Sequence, residues 1–174
     1  MATAAPAQQT DKDLASIAEA RALARRAKEA QLVLAEFSQA QIDAIVDAMA
    51  AAVTPQAEAL ARLAVEETGF GVVADKTQKN LFSSERVYEF IRPMKTVGVI
   101  GRNEEKKIIE IAEPFGVVAA VIPSTNPTST AIYKILISIK ARCAVVMTPH
   151  PSAARCITCA ADIMNEAGRR AGLA

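Results

Sequence analysis

The stretch that decides the fold is "AAVIPSTNPTSTAIYKILISIK", Ala119 to Lys140. An apolar run ends at a proline, small polar residues and a second proline follow, and apolar residues then recur at helical spacing. The strand, Val117 to Ile122, is apolar at every position, so we expect both of its faces to be covered. A similar strand, Ala144 to Met147, and a further helix, about Ser152 to Ala171, come next. Apolar strands that alternate with helices predict a parallel α/β sheet.

The helix between the two strands has a predicted inner and outer face. The inner face is formed by Ala131, Ile132, Ile135, Leu136 and Ile139. The outer face is formed by Lys134, Ser138 and Lys140.

Residues 11–95 are predicted to form a helical lead-in of four helices. Ser38 with Gln41 is typical of a capping box at the start of the second helix. Thr54 starts the third helix, which ends at Gly69, and the fourth covers Val73 to Ile91. The first helix is amphipathic, with its apolar face formed by Leu14, Ile17, Ala20, Leu23, Ala27, Ala30, Leu34 and Phe37.

Residues 96–113 follow as a β-hairpin. "TVGVI" (Thr96 to Ile100) and "KIIEIAE" (Lys107 to Glu113) are rich in β-branched residues, and the charged stretch "RNEEKK" separates them. This pattern predicts an antiparallel pair with one face in solvent.

Two buried parallel strands do not make a stable sheet by themselves. We therefore expect residues 114–174 to be the first half of a larger domain, in a chain that is the front of a longer protein or that depends on a partner. The first ten residues are read as a flexible tail.

Composition excludes several function classes. The chain has 174 residues, of which 51% are hydrophobic and 22% charged, with a net charge of +1. The charge balance argues against nucleic acid as a partner, and no apolar run is long enough for a membrane span. An odd count of three cysteines favours a reducing, cytoplasmic setting over a disulfide framework.

Ligands of open parallel sheets bind beyond the carboxyl ends of the strands, where Pro123 to Pro127 lies. Asn126 is predicted to cap the helix that starts at Pro127, which places residues 128–130 in a first turn with free N–H groups. Two readings remain open: a donor-rich site for an oxyanion or phosphate, or a capped helix whose hydroxyls satisfy local backbone groups.

The remaining candidates are weaker. The only histidine, His150, follows the second strand between two prolines and is read as a turn residue, without neighbours for a metal site. Cys156 and Cys159 have the spacing of a redox pair, but at helical spacing among apolar residues they are read as core. Glu66 and Glu67 are read as a solvated helix face.

Three segments resemble the CoA-acylating branch of the aldehyde dehydrogenase superfamily, from about Leu14 to the last residue. They are "EETGFGVVADKTQKN", "IAEPFGVVAAVIPSTNPTSTAIYKILISIKAR" and "VVMTPHPSA". The resemblance implies a Rossmann-like fold, and a reaction in which a cysteine thiolate attacks an aldehyde, hydride passes to NAD or NADP, and coenzyme A takes the acyl group. It also implies a small aldehyde or acyl-CoA as substrate, and a homo-oligomer that pairs through the hairpin.

The resemblance assigns roles to the strand ends. Thr125 or Asn126 corresponds to the asparagine that stabilises the oxyanion: an ungapped alignment of the prolines selects Thr125, and Asn126 follows by one residue. The cofactor-binding positions it implies are Ile122, Pro123, Ser124, Thr148, Pro149 and His150. Thr148 stands where the family usually has a lysine that holds the adenosine ribose, which leaves NAD or NADP open.

The nucleophilic cysteine of the family matches none of the three cysteines. We therefore expect an amino-terminal segment without the catalytic domain, inactive by itself. The alternative is a non-catalytic binding or assembly module derived from such an enzyme.

Overall fold

The computed structural model describes residues 11 to 173, so the predicted tail lies outside the described residues. Seven α-helices and four strands occur within this range. In chain order they are α1 (Lys12–Ala35), α2 (Gln39–Val53), α3 (Ala57–Thr68), α4 (Val73–Leu81), α5 (Val87–Ile91), β1 (Gly98–Asn103), β2 (Ile108–Ala112), β3 (Val117–Ile122), α6 (Pro127–Lys140), β4 (Ala144–Pro149) and α7 (Ala154–Arg170). None of the helices between residues 11 and 173 is both long and apolar enough to cross a bilayer.

The helix boundaries follow the local signals in the sequence. The Ser38 hydroxyl accepts from the backbone N–H of Gln41, whose side chain in turn accepts from the Ser38 backbone, so the capping box is confirmed. Gly69 ends α3 in the left-handed conformation, at a φ of 70°, which costs glycine little. A π-helical turn joins α4 to α5, so one continuous helix covers Val73 to Ile91 as predicted.

The strands form two separate two-stranded sheets. The strands β1 and β2 pair antiparallel with a bulge between Val99 and Gly101, and β3 and β4 pair parallel. Helix α6 connects β3 to β4 and packs against both strands, and α7 packs against α6 and α2. The incomplete Rossmann-like α/β arrangement that the sequence predicted is therefore present.

Two expectations about burial of the strands are wrong. Along β3, Ala120 and Ile122 are buried, whereas Val121 on the opposite face is 68% exposed. Helices cover one face of this sheet, and no described element covers Val121. In the hairpin, nearly every residue of both strands is exposed, so both faces rather than one are open.

The apolar face predicted for α1 is also mostly open. Leu14 and Ile17 are 63% and 45% exposed, and burial begins only near the end of the helix, at Gln31 and Leu34. The spacing is helical, but most of the stripe finds no partner among the described residues.

Lys140 and Ser138 were predicted to face outward, and both are buried. The Lys140 ammonium donates to Asp43 Oδ1 at 2.6 Å and to the carbonyl oxygen of Arg92 at 2.9 Å. These contacts compensate the charge of a lysine that closes the helix inside the protein. The helical periodicity of a segment does not show that a distant helix supplies a partner such as Asp43.

Arg142 connects three parts of the chain. Its guanidinium donates to the carbonyl oxygen of Ala35, where α1 ends, at 2.5 Å, and to that of Ala112, where β2 ends, at 2.9 Å. The residue is buried and has a φ of 56°, a left-handed conformation that is uncommon for arginine. The hairpin is therefore attached to the helical body by a buried side chain.

Candidate functional site

The two turns selected from the sequence lie side by side at one edge of the parallel sheet. In the register of β3 and β4, Val121 pairs with Thr148 and Ile122 pairs with Pro149. The backbone N–H of His150 donates to the carbonyl oxygen of Ile122 at 3.1 Å, just beyond the strand ends. The candidate cofactor-binding positions of both strands are thus brought together at their carboxyl ends.

The side chains at this edge differ in exposure. Thr148 and His150 are exposed, as are Pro123 and Thr125. The edge is therefore open enough for a ligand to approach both strand ends.

Asn126 does not cap helix α6 as predicted. Its φ and ψ are −137° and 60°, and its side chain makes no capping hydrogen bond. Instead, Asn126 Oδ1 accepts a hydrogen bond from the ammonium of Lys79 on α4 at 2.9 Å.

A second lysine of α4 holds the same turn by its backbone. The Lys76 ammonium donates to the carbonyl oxygen of Thr125 at 2.8 Å, and the residue is only 4% exposed. Its burial, together with the positive charge of Lys79, lowers the pKa of Lys76 from its ordinary value of 10.5, while Cys156 acts in the opposite direction.

A third residue of α4 fixes the helix that follows the turn. Buried Asn80 accepts from the Thr128 hydroxyl at 2.8 Å and donates through Nδ2 to the carbonyl oxygen of Ala57 at 2.8 Å. Residues 128–130 are all buried. The hydroxyl of Thr128 therefore serves the interior of the protein and is not an open donor for a ligand.

Sequence reasoning missed these three residues of α4. Lys76, Lys79 and Asn80 stand at i, i+3 and i+4, so they share one helix face. They belong to "ADKTQKN", within a segment already quoted for its resemblance to the acylating enzymes. That resemblance was the available signal for these residues. Their helical spacing shows that they share a face, but it does not show what the face contacts.

Glu67 is not part of a solvated face, as was predicted, but caps α7. Its carboxylate accepts from the backbone N–H of Arg155 at 2.8 Å and from that of Cys156 at 2.7 Å. Burial raises the pKa of Glu67, but the hydrogen bonds from Cys156 and Arg155 outweigh it, so the pKa lies below the ordinary 4.5. Because Glu67 occupies these two N–H groups, they are not free to bind the phosphates of a ligand.

The three cysteines have the character of packing residues. All three are free, Cys143 and Cys156 are buried, and Cys159 is partly buried. Burial and the nearby Glu67 carboxylate raise the pKa of the Cys156 thiol to about 12. A thiol with so high a pKa is a poor nucleophile near neutral pH, since the thiolate is the reactive form.

His150 stabilises its own turn. Its Nδ1 accepts from the backbone N–H of Ser152 at 3.3 Å and lies 2.8 Å from the Ser152 hydroxyl. The ring caps the short 3-10 turn that precedes α7, which agrees with its interpretation as a turn residue.

Comparison with known proteins identifies the family. The model of the aldehyde dehydrogenase family matches residues 4–174. The chain belongs to the aldehyde dehydrogenase family. Several of its relatives are acylating or acetylating aldehyde dehydrogenases.

The bifunctional aldehyde-alcohol dehydrogenase of Escherichia coli is 45% identical over 157 residues, which cover 90% of this chain and 18% of that protein. An acetylating aldehyde dehydrogenase from Geobacillus thermoglucosidasius superposes with a TM-score of 0.90 at 55% identity, over 95% of this chain and 36% of that one.

A third aldehyde dehydrogenase is more distant in sequence. The propionaldehyde dehydrogenase of Rhodopseudomonas palustris, solved with bound CoA and an acylated cysteine, is 28% identical at a TM-score of 0.71, over 88% of this chain and 35% of that one. The chain thus spans between about a fifth and two fifths of the length of these relatives.

Proposed function

We propose that this chain is the amino-terminal segment of a CoA-acylating aldehyde dehydrogenase, which converts an aldehyde, CoA and NAD or NADP to an acyl-CoA and the reduced cofactor. The observation that carries the proposal is the edge formed by the turns after β3 and β4. It presents Asn126 beside two strand ends, with its amide oxygen already bound by Lys79. The relatives support the CoA-dependent branch.

Within such an enzyme, the Pro123–Pro127 turn would supply donors to the oxyanion that forms when a thiolate adds to the aldehyde carbonyl. Fixed N–H donors at this point lower the barrier because they need no reorganisation as charge develops. Between the two candidates, Asn126 is preferred to Thr125. Its amide Nδ2 is a donor that remains after Oδ1 has been bound, whereas Thr125 offers a single hydroxyl.

The cofactor would be held at the same edge by Ile122, Pro123, Ser124, Thr148, Pro149 and His150. When bound, nicotinamide would accept the hydride from the oxidised carbon. Thr148 and His150 expose their side chains there, which fits a ligand that lies across both strand ends. The α7 N-terminus contributes little, because Glu67 takes its N–H groups.

The thiolate chemistry is proposed to come from outside these 174 residues, and the chain by itself is proposed to be inactive. Cys143 and Cys156 are buried, and none of the three cysteines corresponds to the nucleophile of the family. The three free thiols are consistent with the proposed cytoplasmic setting.

The test is a chimera in which this chain replaces the matching segment of the Geobacillus enzyme. We expect CoA-dependent oxidation of acetaldehyde, measured by the absorbance of the reduced nicotinamide, and no turnover by the chain alone. Asn126→Ala should lower kcat by about 100-fold or more, the effect of losing one oxyanion donor, and Thr125→Val should change kcat little. A well-folded chimera with neither activity nor cofactor binding would refute the proposal.

The alternative, a non-catalytic assembly module, is favoured by the hairpin. Ile100, Ile109 and Ile111 expose 43%, 53% and 59% of their surface on strands that nothing in the described chain covers. Apolar surface of this kind is typical of a protein–protein contact. Size-exclusion chromatography and a pull-down against an intact acylating enzyme decide: a monomer that does not bind the enzyme removes this alternative.

A further inference from the structure

The face of α4 that carries Lys76, Lys79 and Asn80 contacts the candidate oxyanion turn and the helix behind it. Lys79 binds the side chain of Asn126, Lys76 binds the backbone of Thr125, and Asn80 binds Thr128. All three contacts join residues 47 to 49 positions apart in the chain. The geometry of the turn is therefore set by a separate helix.

The contact with Lys79 determines which end of the Asn126 amide is free. An ammonium carries three donors and no acceptor, so only the amide oxygen can face it. The NH₂ group must then point away from Lys79. Without that contact, the amide could turn about its last side-chain bond and present oxygen, an acceptor that repels an oxyanion.

The charge of Lys79 has a second effect. A cation bound to an amide oxygen draws electron density from the nitrogen, which makes its N–H groups stronger donors. Lys76 complements this effect because it fixes the backbone immediately before Asn126, and its burial restricts its own movement.

We propose that Lys79 is a positioning residue that holds the Asn126 amide with its NH₂ group available to the reacting oxygen, and that Lys76 holds the preceding backbone for the same purpose. The inference rests on the proposed function for its chemical meaning. Neither lysine is proposed to touch the substrate.

The test uses nuclear magnetic resonance on the whole 174-residue chain, so it does not depend on turnover. The side-chain NH₂ resonances of Asn126 are assigned by their loss in Asn126→Asp. In Lys79→Met, we expect both proton resonances to move and the order parameter of the side chain to fall toward the range below about 0.6 that marks flexible groups. Lys79→Arg, which retains a charged donor, should restore most of the original values.

Lys134→Met is the matched control. Its ammonium donates to the carbonyl oxygen of Val121 at 2.7 Å, close to the same turn but on a different acceptor. If the loss of any positive charge near the turn were enough to disturb Asn126, the Asn126 resonances would move in Lys134→Met as well. We expect no change in the order parameter of Asn126 here.

Two results overturn the inference. One is an Asn126 amide in Lys79→Met that keeps its resonances and its order parameter while the backbone spectrum remains that of the folded chain. The other is an equal effect of Lys134→Met. Should Lys79→Met unfold the chain, Lys79→Gln, which keeps a neutral donor, replaces it and must give an intermediate effect. An inactive chimera, together with the expected effect of Lys79→Met on the Asn126 amide, would refute the proposed function. It would still establish that Lys79 holds the Asn126 amide.

Discussion

The hydrogen bonds of Asn80 predict a measurable coupling between α4 and the start of α6. Asn80→Ala leaves the buried Thr128 hydroxyl without its acceptor. It also removes one hydrogen bond from the carbonyl oxygen of Ala57, which still accepts within helix α3. An orphaned buried group of this kind costs about 1–3 kcal/mol. With about 1 kcal/mol more for the lost hydrogen bond to Ala57, the expected loss in the free energy of unfolding is about 3 kcal/mol.

Thr128→Val removes the hydroxyl at nearly constant volume and should cost about 2 kcal/mol, because it leaves Asn80 Oδ1 without its donor. In the Asn80→Ala background that oxygen is already absent, and the valine removes an orphaned hydroxyl. The second substitution should then cost close to nothing. The predicted coupling energy is about 2 kcal/mol, the difference between these two costs.

Urea unfolding followed by circular dichroism measures all four proteins. Thr128→Ser is the control, because it keeps the hydroxyl and loses only a methyl group, at about 1 kcal/mol or less. Its cost should be equal in both backgrounds. If Thr128→Val costs the same with and without Asn80, the two side chains do not interact as the distance between them implies, and the reasoning about this helix face is wrong.

Further predictions concern the cap, the cysteine and the buried lysine. Glu67→Gln should lower the free energy of unfolding by about 1 kcal/mol at pH 7. Because folding lowers the pKa of Glu67, this loss should be complete above the ordinary pKa of about 4.5 and should disappear as the pH falls through the pKa of the folded chain. Equal urea midpoints of the two proteins at pH 7 would contradict the prediction. Cys156, whose thiol has a pKa of about 12, should resist alkylation by iodoacetamide at pH 8 in the folded chain and should react in urea. Peptide mass spectrometry measures the extent of alkylation. Rapid labelling of Cys156 in the folded chain would contradict its burial. Lys140→Met should lower the free energy of unfolding in urea by about 2 kcal/mol. This is less than the roughly 3–5 kcal/mol lost when a fully buried ion pair is broken, because the Asp43 side chain is 37% exposed. A variant as stable as the original chain would show that the ion pair contributes nothing.

Local patterns predicted most of the secondary structure. The capping box at Ser38 and the glycine at position 69 act within a few residues, so the sequence contains the whole signal. The alternation of apolar strands and helices after Val117 was equally local, and it placed the candidate turns at one sheet edge.

Contacts between distant elements could not be predicted in the same way. Lys140 was placed outward because its partner Asp43 lies 97 residues away in sequence. Glu67 was read as solvated because the helix end that it caps lies 88 residues further along the chain. In each case a charged residue is satisfied by a partner that helical periodicity does not reveal.

The predictions of which apolar residues are buried failed for a different reason. Val121 and Ile17 are apolar at positions where the period predicts a covered face, and both are exposed. Periodicity shows which face of an element is apolar, but it does not show whether the same chain supplies the covering layer. The role of Asn126 was missed as well, because its amide oxygen binds Lys79, which lies 47 residues earlier in the chain.

The attachment of the hairpin by Arg142 has a consequence for assembly. Because the guanidinium binds the ends of both α1 and β2, the angle at which the hairpin leaves the body is set by a side chain inside the protomer. If copies of the chain pair through the hairpin, as is proposed, this angle would determine how they are oriented relative to one another. In the proposed oligomer, loss of this arginine would alter how the copies are arranged without changing any residue of the hairpin.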